Sequence, residues 1–170
     1  MIITLIGMPA AGKTCMGKKL AKMLNMKLID GDKLIESRTG RKLQEIIDTD
    51  GLDAFKKLEE DVLLSITDDN VIISPGGSAI YYDSVMKYYK SRGPVAYIYV
   101  SYDIIVKRLG DFSKRGVVLA PGQTILDLYN ERVPLLEKYA DITLNCDGFA
   151  FSKYQKDAVD KIRAISHKYD

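Results

Sequence analysis

Histidine and cysteine are scarce in this sequence of 170 residues, which contains one histidine and two cysteines. The single histidine, His167, lies near the C-terminal end, so we do not expect catalysis that depends on histidine. Cys15 and Cys146 have neither the spacing of a metal site nor the density of a disulfide scaffold. The chemistry of this chain must therefore be sought in other residue types.

An excess of charge of one sign and long apolar runs are also missing. The 25 lysines and arginines nearly balance the 23 aspartates and glutamates, and no basic run marks a nucleic-acid-binding surface. No apolar run approaches the roughly 20 residues that cross a membrane. The apolar stretch at 1–7 is too short for a signal peptide. We expect a cytoplasmic protein whose partners include neither nucleic acid nor a membrane.

Short apolar runs alternate with longer amphipathic ones along the chain. The length and the 46% hydrophobic content suffice for one domain, over residues 1–170, with its own core. Apolar runs rich in isoleucine and valine, without alternation, predict strands that are covered on both faces. These runs lie at 2–6, 27–29, 71–73, 95–100 and 142–144. Because apolar residues at helical spacing separate them, the pattern predicts a doubly wound α/β domain with a parallel sheet.

The strongest local signal is GMPAAGKT at 7–14, which fits the pattern G-x-x-x-x-G-K-[ST] between a predicted strand and a predicted helix. In such a loop the glycines let the backbone approach a phosphate, and successive N–H groups point into one concavity at the positive end of the helix. Lys13 can follow the β- and γ-phosphates of ATP, and the Thr14 hydroxyl is placed to ligate Mg²⁺. A chance match is expected in roughly one per cent or fewer of chains of this length, so nucleotide binding is favoured. The residues of this segment predicted to bind ATP are Gly7, Ala10, Ala11, Gly12, Lys13, Thr14 and Cys15.

Beyond this loop, the order of motifs from Ile2 to about Cys146 resembles the shikimate kinases, small relatives of the nucleoside monophosphate kinases. The sequence DGD at 30–32 stands where that family has D-x-D at the end of its second strand. The resemblance implies that Asp30 supports the Mg²⁺ shell and that Asp32 holds acceptor hydroxyls, since a carboxylate there can orient a hydroxyl and accept its proton. A turn with a helix N-cap is the alternative interpretation of DGD. Its distance from the phosphate-binding loop favours the site.

The segment GLDAFKKLE at 51–59 resembles the F-R-x-x-E motif of the family. Lys56 and Glu59 are three residues apart, so they share a helix face and can contact one ligand. At the position of Lys56 the family has an arginine, and that arginine binds the substrate carboxylate through two hydrogen bonds. A lysine keeps the positive charge but cannot form the planar, bidentate hydrogen bonds of a guanidinium. A solvated helix lysine is the alternative interpretation of Lys56.

The segment ISPGGS at 73–78 stands where the family has a triple-glycine turn after its third strand. Gly76 and Gly77 match this turn, whereas Ser78 replaces the third glycine. Glycines at the carboxyl end of a strand let backbone N–H groups reach a ligand at the edge where α/β folds bind their substrates. A simple glycine pair between a strand and a loop is the alternative interpretation.

The stretch at 110–123 lacks periodicity and corresponds to the lid loop of the family. The resemblance implies that Arg115 closes on the transferring phosphates while the closed loop excludes water. It also implies that Arg108, just before this loop, packs near the adenine. The lid motif R-P-L-L of the family is replaced here by RGVV at 115–118.

The segment ERVPLLEKYAD at 131–141 resembles the motif R-x-P-L-Y-x-x-x-A-D. The resemblance implies that Arg132 is a second arginine that binds the substrate carboxylate. A surface arginine paired with Glu131 or Glu137 is the alternative interpretation.

Taken together, the resemblance implies a P-loop NTPase fold with three layers, α/β/α, and a five-stranded parallel sheet in the order 2-3-1-4-5. It places the lid at about 110–123 and the substrate-binding helices at about 31–66. It implies a kinase that uses ATP and Mg²⁺ to phosphorylate the 3-hydroxyl of shikimate, and we expect this kinase to be a monomer. The predicted catalytic residues are Lys13, Asp32 and Arg115. The predicted acceptor-binding residues are Asp32, Lys56, Glu59, Gly76, Gly77 and Arg132.

Two alternatives to this function stay open from the sequence. The departures from the family at Lys56, Ser78 and the lid lie in the acceptor half, so a kinase of another small hydroxy acid, such as homoserine or gluconate, is the first. A nucleotide-binding module without turnover is the second. The residues retained beyond the phosphate-binding loop argue against this second alternative, and they are Asp30, Asp32, Arg115 and Arg132.

Overall fold

A computed structural model of the chain describes residues 1–110, 119–147 and 151–169, the last range with side chains from residue 154 onwards. The predicted residue Arg115 and most of the predicted lid lie outside these ranges. Within the described ranges, no helix is both long and apolar enough to cross a membrane.

Five parallel strands form one sheet in the order β2-β3-β1-β4-β5. The strands are β1 (Ile2–Ile6), β2 (Lys27–Asp30), β3 (Val71–Ser74), β4 (Val95–Tyr99) and β5 (Ile142–Asn145). Each predicted strand is present with its boundaries within one residue, and the predicted strand order is confirmed. The sequence pattern is informative because β1 and β3 are buried along their whole length, as strands covered by helices on both faces must be.

Helices connect these strands and cover the sheet. The described residues form α1 (Lys13–Leu24), α2 (Gly31–Thr39), α3 (Leu43–Asp50), α4 (Leu52–Leu64), α5 (Asp83–Arg92), α6 (Tyr102–Leu109), α7 (Ile125–Tyr139) and α8 (Phe151–Ser166). A short 3₁₀ turn at Ala79–Tyr81 follows β3. Helices α1 and α8 pack together, whereas α4 and α5 pack against each other elsewhere, so the sheet lies between helical layers.

The apolar core has three parts. The largest contains residues of β1 and β4 with α1, α6, α7 and α8, and a second joins β3 to α4 and α5. The third is small and lies among α2, α3 and α4, where Ile35, Ile46, Phe55 and Val62 are buried against one another. Helices α2 to α4 therefore form a small helical cluster with its own core, beside the main sheet.

Helix α7 is fixed at both ends. At its start, Thr124 and Asp127 form a capping box, in which each side chain bonds the backbone N–H of the other residue. Just after its end, the Asp141 carboxylate accepts hydrogen bonds from Lys90 Nζ at 2.7 Å and from the Val95 N–H at 2.9 Å. These contacts tie α7 to the sheet, because Val95 begins β4.

The close packing of α5 on β1 yields a stability prediction at Gly93. A Cβ atom on Gly93 would lie 1.8 Å from the backbone oxygen of Ile2. Its φ of 167° is extended, so this clash is the only obstacle to a side chain. We expect Gly93→Ala to lower the free energy of unfolding by about 3 kcal/mol, because backbone must move in the central strand. Urea denaturation measures the change.

Gly40→Ala is the matched control, because Gly40 has a φ of 68° with no atom near its Cβ position. Only the strain of the left-handed conformation applies there, and it costs about 1 kcal/mol. A Gly93→Ala protein as stable as Gly40→Ala would contradict the predicted clash.

The topology brings the sequence motifs together. The loop at 7–14 follows β1, the DGD segment follows β2 and the GGS segment follows β3, and these three strands are neighbours. Because parallel strands end at the same edge of the sheet, all three motifs meet there.

Candidate active site

The segment at 7–14 forms a tight loop between β1 and α1. Gly12 has a φ of 94° and Ala10 a φ of 61°, so the chain turns through two left-handed residues before the helix begins at Lys13. A Cβ on Gly7 would lie 2.9 Å from the Ile98 oxygen, so the strand end has room only for glycine there. The free N–H groups at the start of α1 are thereby directed to one anion-binding concavity.

The Lys13 side chain lies across this loop. Its Nζ donates hydrogen bonds to the backbone oxygens of Gly7 at 2.9 Å and of Met8 at 2.8 Å. Burial lowers the pKa of Lys13 to about 8, and repulsion from Arg132 adds to the shift, while Asp32 and Asp30 oppose it. The lysine is therefore a cation at neutral pH that carbonyl dipoles hold in place. Phosphate oxygens at this position would stabilise its charge further.

Asp30 and Asp32 stand at the end of β2 and in the first turn of α2. The Asp30 side chain accepts the Lys33 N–H at 3.3 Å, so this residue is the N-cap of α2 and also lines the cavity described below. The cap considered from the sequence is present, and it leaves Asp30 facing the cavity. Burial raises the pKa of Asp32 to about 6, with further contributions from the carboxylates of Glu59 and Asp30.

One cavity of about 1100 Å³ joins the phosphate-binding loop to the acceptor half. Its volume lies at the upper end of the range for ligand pockets, which measure roughly 300–1,000 Å³. The predicted residues that line it are Ala10, Gly12, Lys13, Thr14, Cys15, Asp30, Asp32, Lys56, Glu59, Gly76, Gly77 and Arg132. The structure therefore places these residues, from five segments of the chain, around one cavity.

Three predicted nucleotide-binding residues lie behind this cavity surface. Gly7 and the buried Ala11 belong to the loop itself. Arg108 Nη1 donates to the backbone oxygens of Ala10 at 3.4 Å and Ala11 at 3.3 Å, so it contacts the loop from α6. The predicted contact of Arg108 with the adenine stays a prediction.

The glycine turn after β3 leaves no room for side chains. A Cβ on Gly76 would lie 2.7 Å from Asp32 Oδ1 and 3.3 Å from Glu59 Oε1. A Cβ on Gly77 would lie 2.7 Å from Arg132 Nη1. Both glycines therefore allow charged side chains to approach the turn, which favours a site over a simple strand-to-loop connection.

Glu59 is a buried carboxylate, with only 2% of its surface exposed. The Ser78 hydroxyl lies 2.7 Å from both of its oxygens, and the Tyr82 hydroxyl donates to Oε2 at 2.6 Å. Burial raises the pKa of Glu59, whereas the hydrogen bonds from Tyr82 and Ser78 and the charge of Arg132 oppose this rise. Lys56, one turn earlier on α4, is exposed and lines the cavity, and no ion pair joins it to Glu59.

Arg132 lies on α7 with 7% of its surface exposed. Its Nε donates to the Tyr81 hydroxyl at 3.3 Å, and its guanidinium lies 5.5 Å from the centroid of the Tyr81 ring. The Tyr81 hydroxyl in turn donates to Glu131 Oε2 at 3.1 Å. The alternative of a surface arginine paired with Glu131 or Glu137 is therefore wrong. Neither terminal nitrogen of Arg132 bonds a described residue, and the side chain faces the cavity.

The tyrosines after the glycine turn were not identified from the sequence. Tyr81 and Tyr82 both line the cavity and hold the two charged groups described above. The available signal was two polar aromatic residues directly after a substrate-binding turn. Helix α3 was also not predicted as a separate element, although its residues Gln44 and Ile47 line the cavity.

The contact between Tyr81 and Arg132 yields a kinetic prediction. Tyr81→Phe removes the acceptor of the Nε hydrogen bond and keeps the ring under the guanidinium. We expect KM for an anionic acceptor to rise about five-fold, because one hydrogen bond to a charged group is lost. Steady-state kinetics should show kcat and KM for ATP nearly unchanged.

Tyr88→Phe is the matched control, because the Tyr88 hydroxyl bonds the Ile66 oxygen at 3.1 Å outside the cavity. An equal rise of KM in both variants would show that Tyr81 does not act through Arg132.

A phosphate-binding loop after the central strand and a carboxylate pair after β2, joined by one cavity in a sheet of order 2-3-1-4-5, define a P-loop phosphotransferase. The protein is an ATP-dependent kinase of a small molecule. Residues 9–163 match the family model for shikimate kinase, and the chain belongs to the shikimate kinase family.

Individual relatives agree with this placement. The chain is 37% identical over 149 residues to a shikimate kinase of Haemophilus influenzae, an alignment that covers 85% of this chain and 83% of the relative. It is 36% identical over 149 residues to a shikimate kinase of Mannheimia succiniciproducens, with 85% of each chain covered. The structure resembles a solved shikimate kinase from Acinetobacter baumannii in complex with shikimate, with a TM-score of 0.87 and 28% identity. That comparison covers 96% of this chain and 93% of the other.

Proposed function

We propose that this kinase transfers the γ-phosphoryl group of ATP to the 3-hydroxyl of shikimate. Arg132 is the observation that carries the acceptor assignment. It is a buried guanidinium with two terminal nitrogens that bond no described residue and face the same cavity as Lys13. A buried cation without an anionic partner is unfavourable, so the site is complementary to an anion. The carboxylate of shikimate fits this requirement in charge and in its two-pronged shape.

The remaining roles follow from position. Asp32 lines the cavity between Lys13 and the glycine turn, so it can orient the acceptor hydroxyl and accept its proton. Lys13 neutralises the oxygens of the phosphoryl group in transfer, and the resemblance to the family implies the same role for Arg115, which lies outside the described residues. Lys56, Glu59, Gly76 and Gly77 complete the acceptor site. Positioning and electrostatics account for catalysis of this type, so no covalent nucleophile is required.

Thr14 and Asp30 are the residues that would hold Mg²⁺. Both line the cavity beside the phosphate-binding loop, and hydroxyl and carboxylate oxygens are ligands that Mg²⁺ prefers. The described residues contain no group of three or more histidine, cysteine, aspartate or glutamate side chains that could hold a metal. This agrees with a cation that takes its other ligands from water and nucleotide phosphates. When bound, it would neutralise charge on those phosphates.

We further propose that residues 1–170 act as one domain, as a monomer, in the cytoplasm. Residues of a single chain line both the phosphate half and the acceptor half of the cavity. Both cysteines are free thiols, as a reducing compartment would keep them.

A kinase of another small hydroxy acid is the second candidate. The exposed Lys56 and the Ser78 hydroxyl bonded to Glu59 are the observations that favour it, because both differ from the family motif in the acceptor half. The carboxylate of homoserine could still use Arg132, and its amine could use Asp32.

Release of ADP in a coupled assay with MgATP distinguishes these candidates. The acceptors to compare are shikimate, quinate, homoserine, gluconate and nucleoside monophosphates. We expect saturable turnover with shikimate. Turnover with another hydroxy acid and none with shikimate would reject the proposal in favour of the second candidate. Nucleotide binding without turnover of any acceptor would indicate a module that only binds nucleotide.

A further inference from the structure

Glu59 is a buried carboxyl group that no cation of the described chain contacts directly. Its hydrogen-bond partners are two hydroxyl groups, those of Ser78 at 2.7 Å and of Tyr82 at 2.6 Å. Three cations, Lys13, Lys56 and Arg132, line the same cavity, and none of them lies within ion-pair distance of its oxygens. A buried carboxylate that prefers hydroxyl partners to available cations is unusual, because direct pairing offsets more of the desolvation cost.

The Glu59 carboxylate and the Arg132 guanidinium face adjacent residues of one turn. Glu59 Oε1 lies 3.3 Å from the Cβ position of Gly76, and Arg132 Nη1 lies 2.7 Å from the Cβ position of Gly77. The two charges interact across this turn, since the charge of Arg132 favours the ionised form of Glu59. A change in the side-chain torsions of Glu59 would be directed by this attraction towards Arg132.

Such a change would block acceptor binding. The terminal nitrogens of Arg132 are the groups that the proposed function gives to the acceptor carboxylate. A Glu59 carboxylate paired with them would occupy the same donors as an internal competitor. The acceptor would then have to displace a partner that is permanently present.

We propose that Ser78 and Tyr82 are positioning residues of the acceptor site, whose hydroxyls hold the Glu59 carboxylate away from Arg132 and keep its terminal nitrogens available for the acceptor carboxylate. The expected change in KM for the acceptor rests on the proposed function. Its structural part, the position of Glu59, does not depend on the acceptor.

This role gives a reason for the serine that replaces the third glycine of the family motif. A glycine at position 78 would offer no hydroxyl, and Glu59 would keep only the bond from Tyr82. Lys56 is the second cation that an unrestrained Glu59 could reach, because it lies one turn earlier on the same face of α4. Either pairing would remove a positive charge from the acceptor site.

The double variant Ser78→Gly/Tyr82→Phe tests the proposal. We expect KM for the carboxylate-bearing acceptor to rise about ten-fold, with kcat and KM for ATP within about two-fold of the wild type. Ser78→Thr keeps a hydroxyl and should behave as the wild type. Tyr89→Phe is the control, because its hydroxyl bonds the Leu63 oxygen at 2.8 Å and so contacts α4 without contacting Glu59.

Glu59→Gln in the double-variant background separates positioning from general damage to the site. A neutral amide does not pair with a guanidinium as an ion, so we expect KM for the acceptor to recover part of its loss. If the two hydroxyls have only a structural role, the third substitution will add to the loss, which overturns the proposal. An unchanged KM in the double variant overturns it as well.

A crystal structure of the double variant provides a readout that does not need turnover. We expect Glu59 to lie within 4 Å of Arg132 or Lys56, the distance that defines an ion pair. A Glu59 that keeps its position would overturn the inference, even if the wild type phosphorylates shikimate. Conversely, a wild type that does not use shikimate would reject the proposed function alone, because the position of Glu59 in the variant is still measured.

Discussion

Replacement of Lys13 by methionine should lower kcat by about 10³-fold while the protein stays folded. Lys13 is held across the phosphate-binding loop by the Gly7 and Met8 oxygens, and the proposed function places its charge beside the transferring phosphoryl group. Removal of one preorganised group of this kind typically costs 10²–10³-fold or more in rate. Methionine has a similar length and removes both the charge and the two hydrogen bonds of Nζ.

The fold should tolerate this change. Burial lowers the pKa of Lys13 to about 8, which means that the folded protein disfavours its charged form relative to water. A neutral side chain removes that cost, so we expect Tm to be unchanged or slightly higher. The rate is measured by ADP release at saturating acceptor, and Tm by thermal denaturation.

Lys18→Met is the matched control, since Lys18 lies on the exposed face of the same helix. It should retain full activity. If Lys13→Met keeps more than a tenth of the wild-type kcat, the assignment of Lys13 to the phosphoryl group is wrong.

Replacement of Arg132 by lysine should raise KM for shikimate about 100-fold and leave KM for ATP unchanged. Lysine keeps the positive charge and cannot form two parallel hydrogen bonds to a carboxylate. The loss corresponds to about 3 kcal/mol, the upper range for hydrogen bonds between charged groups. The contact of Nε with Tyr81 is lost as well, and the site becomes less rigid.

A neutral acceptor sharpens this experiment. With the amide of shikimate, the wild type and Arg132→Lys should differ much less, because the amide offers no second acceptor oxygen for the guanidinium. Arg41→Lys is the control, since Arg41 pairs with Asp50 at the protein surface. A rise in KM for ATP instead of shikimate would place Arg132 in the phosphate half.

The sequence predicted the loop at 7–14 and the strands of the sheet because both depend on short-range patterns. The loop at 7–14 is a continuous motif, and each strand is a continuous apolar run whose edges could be located within one residue. The order of the strands came from the resemblance to a family. It could not come from periodicity, because periodicity carries no information about which strands are neighbours.

The acceptor half was harder to predict because its contacts join distant positions. Glu59 meets Ser78 and Tyr82 across a helix and a strand, and Arg132 meets Tyr81 although the two lie 51 residues apart in the chain. Such contacts depend on side-chain directions that the fold sets. For this reason Ser78 was recognised only as a departure from a motif, and its hydrogen bond to Glu59 was not foreseen.

The two walls of the acceptor cavity differ in how firmly they are built. Arg132 stands on α7, which a capping box fixes at one end and the contacts of Asp141 fix at the other. The opposite wall, α2 to α4, rests on a core of only a few buried side chains. Adjustment to an acceptor of different size therefore costs less on the α2 to α4 side. We expect the range of acceptors to depend on how readily the α2 to α4 wall moves, while Arg132, the proposed partner of the acceptor carboxylate, stays in place.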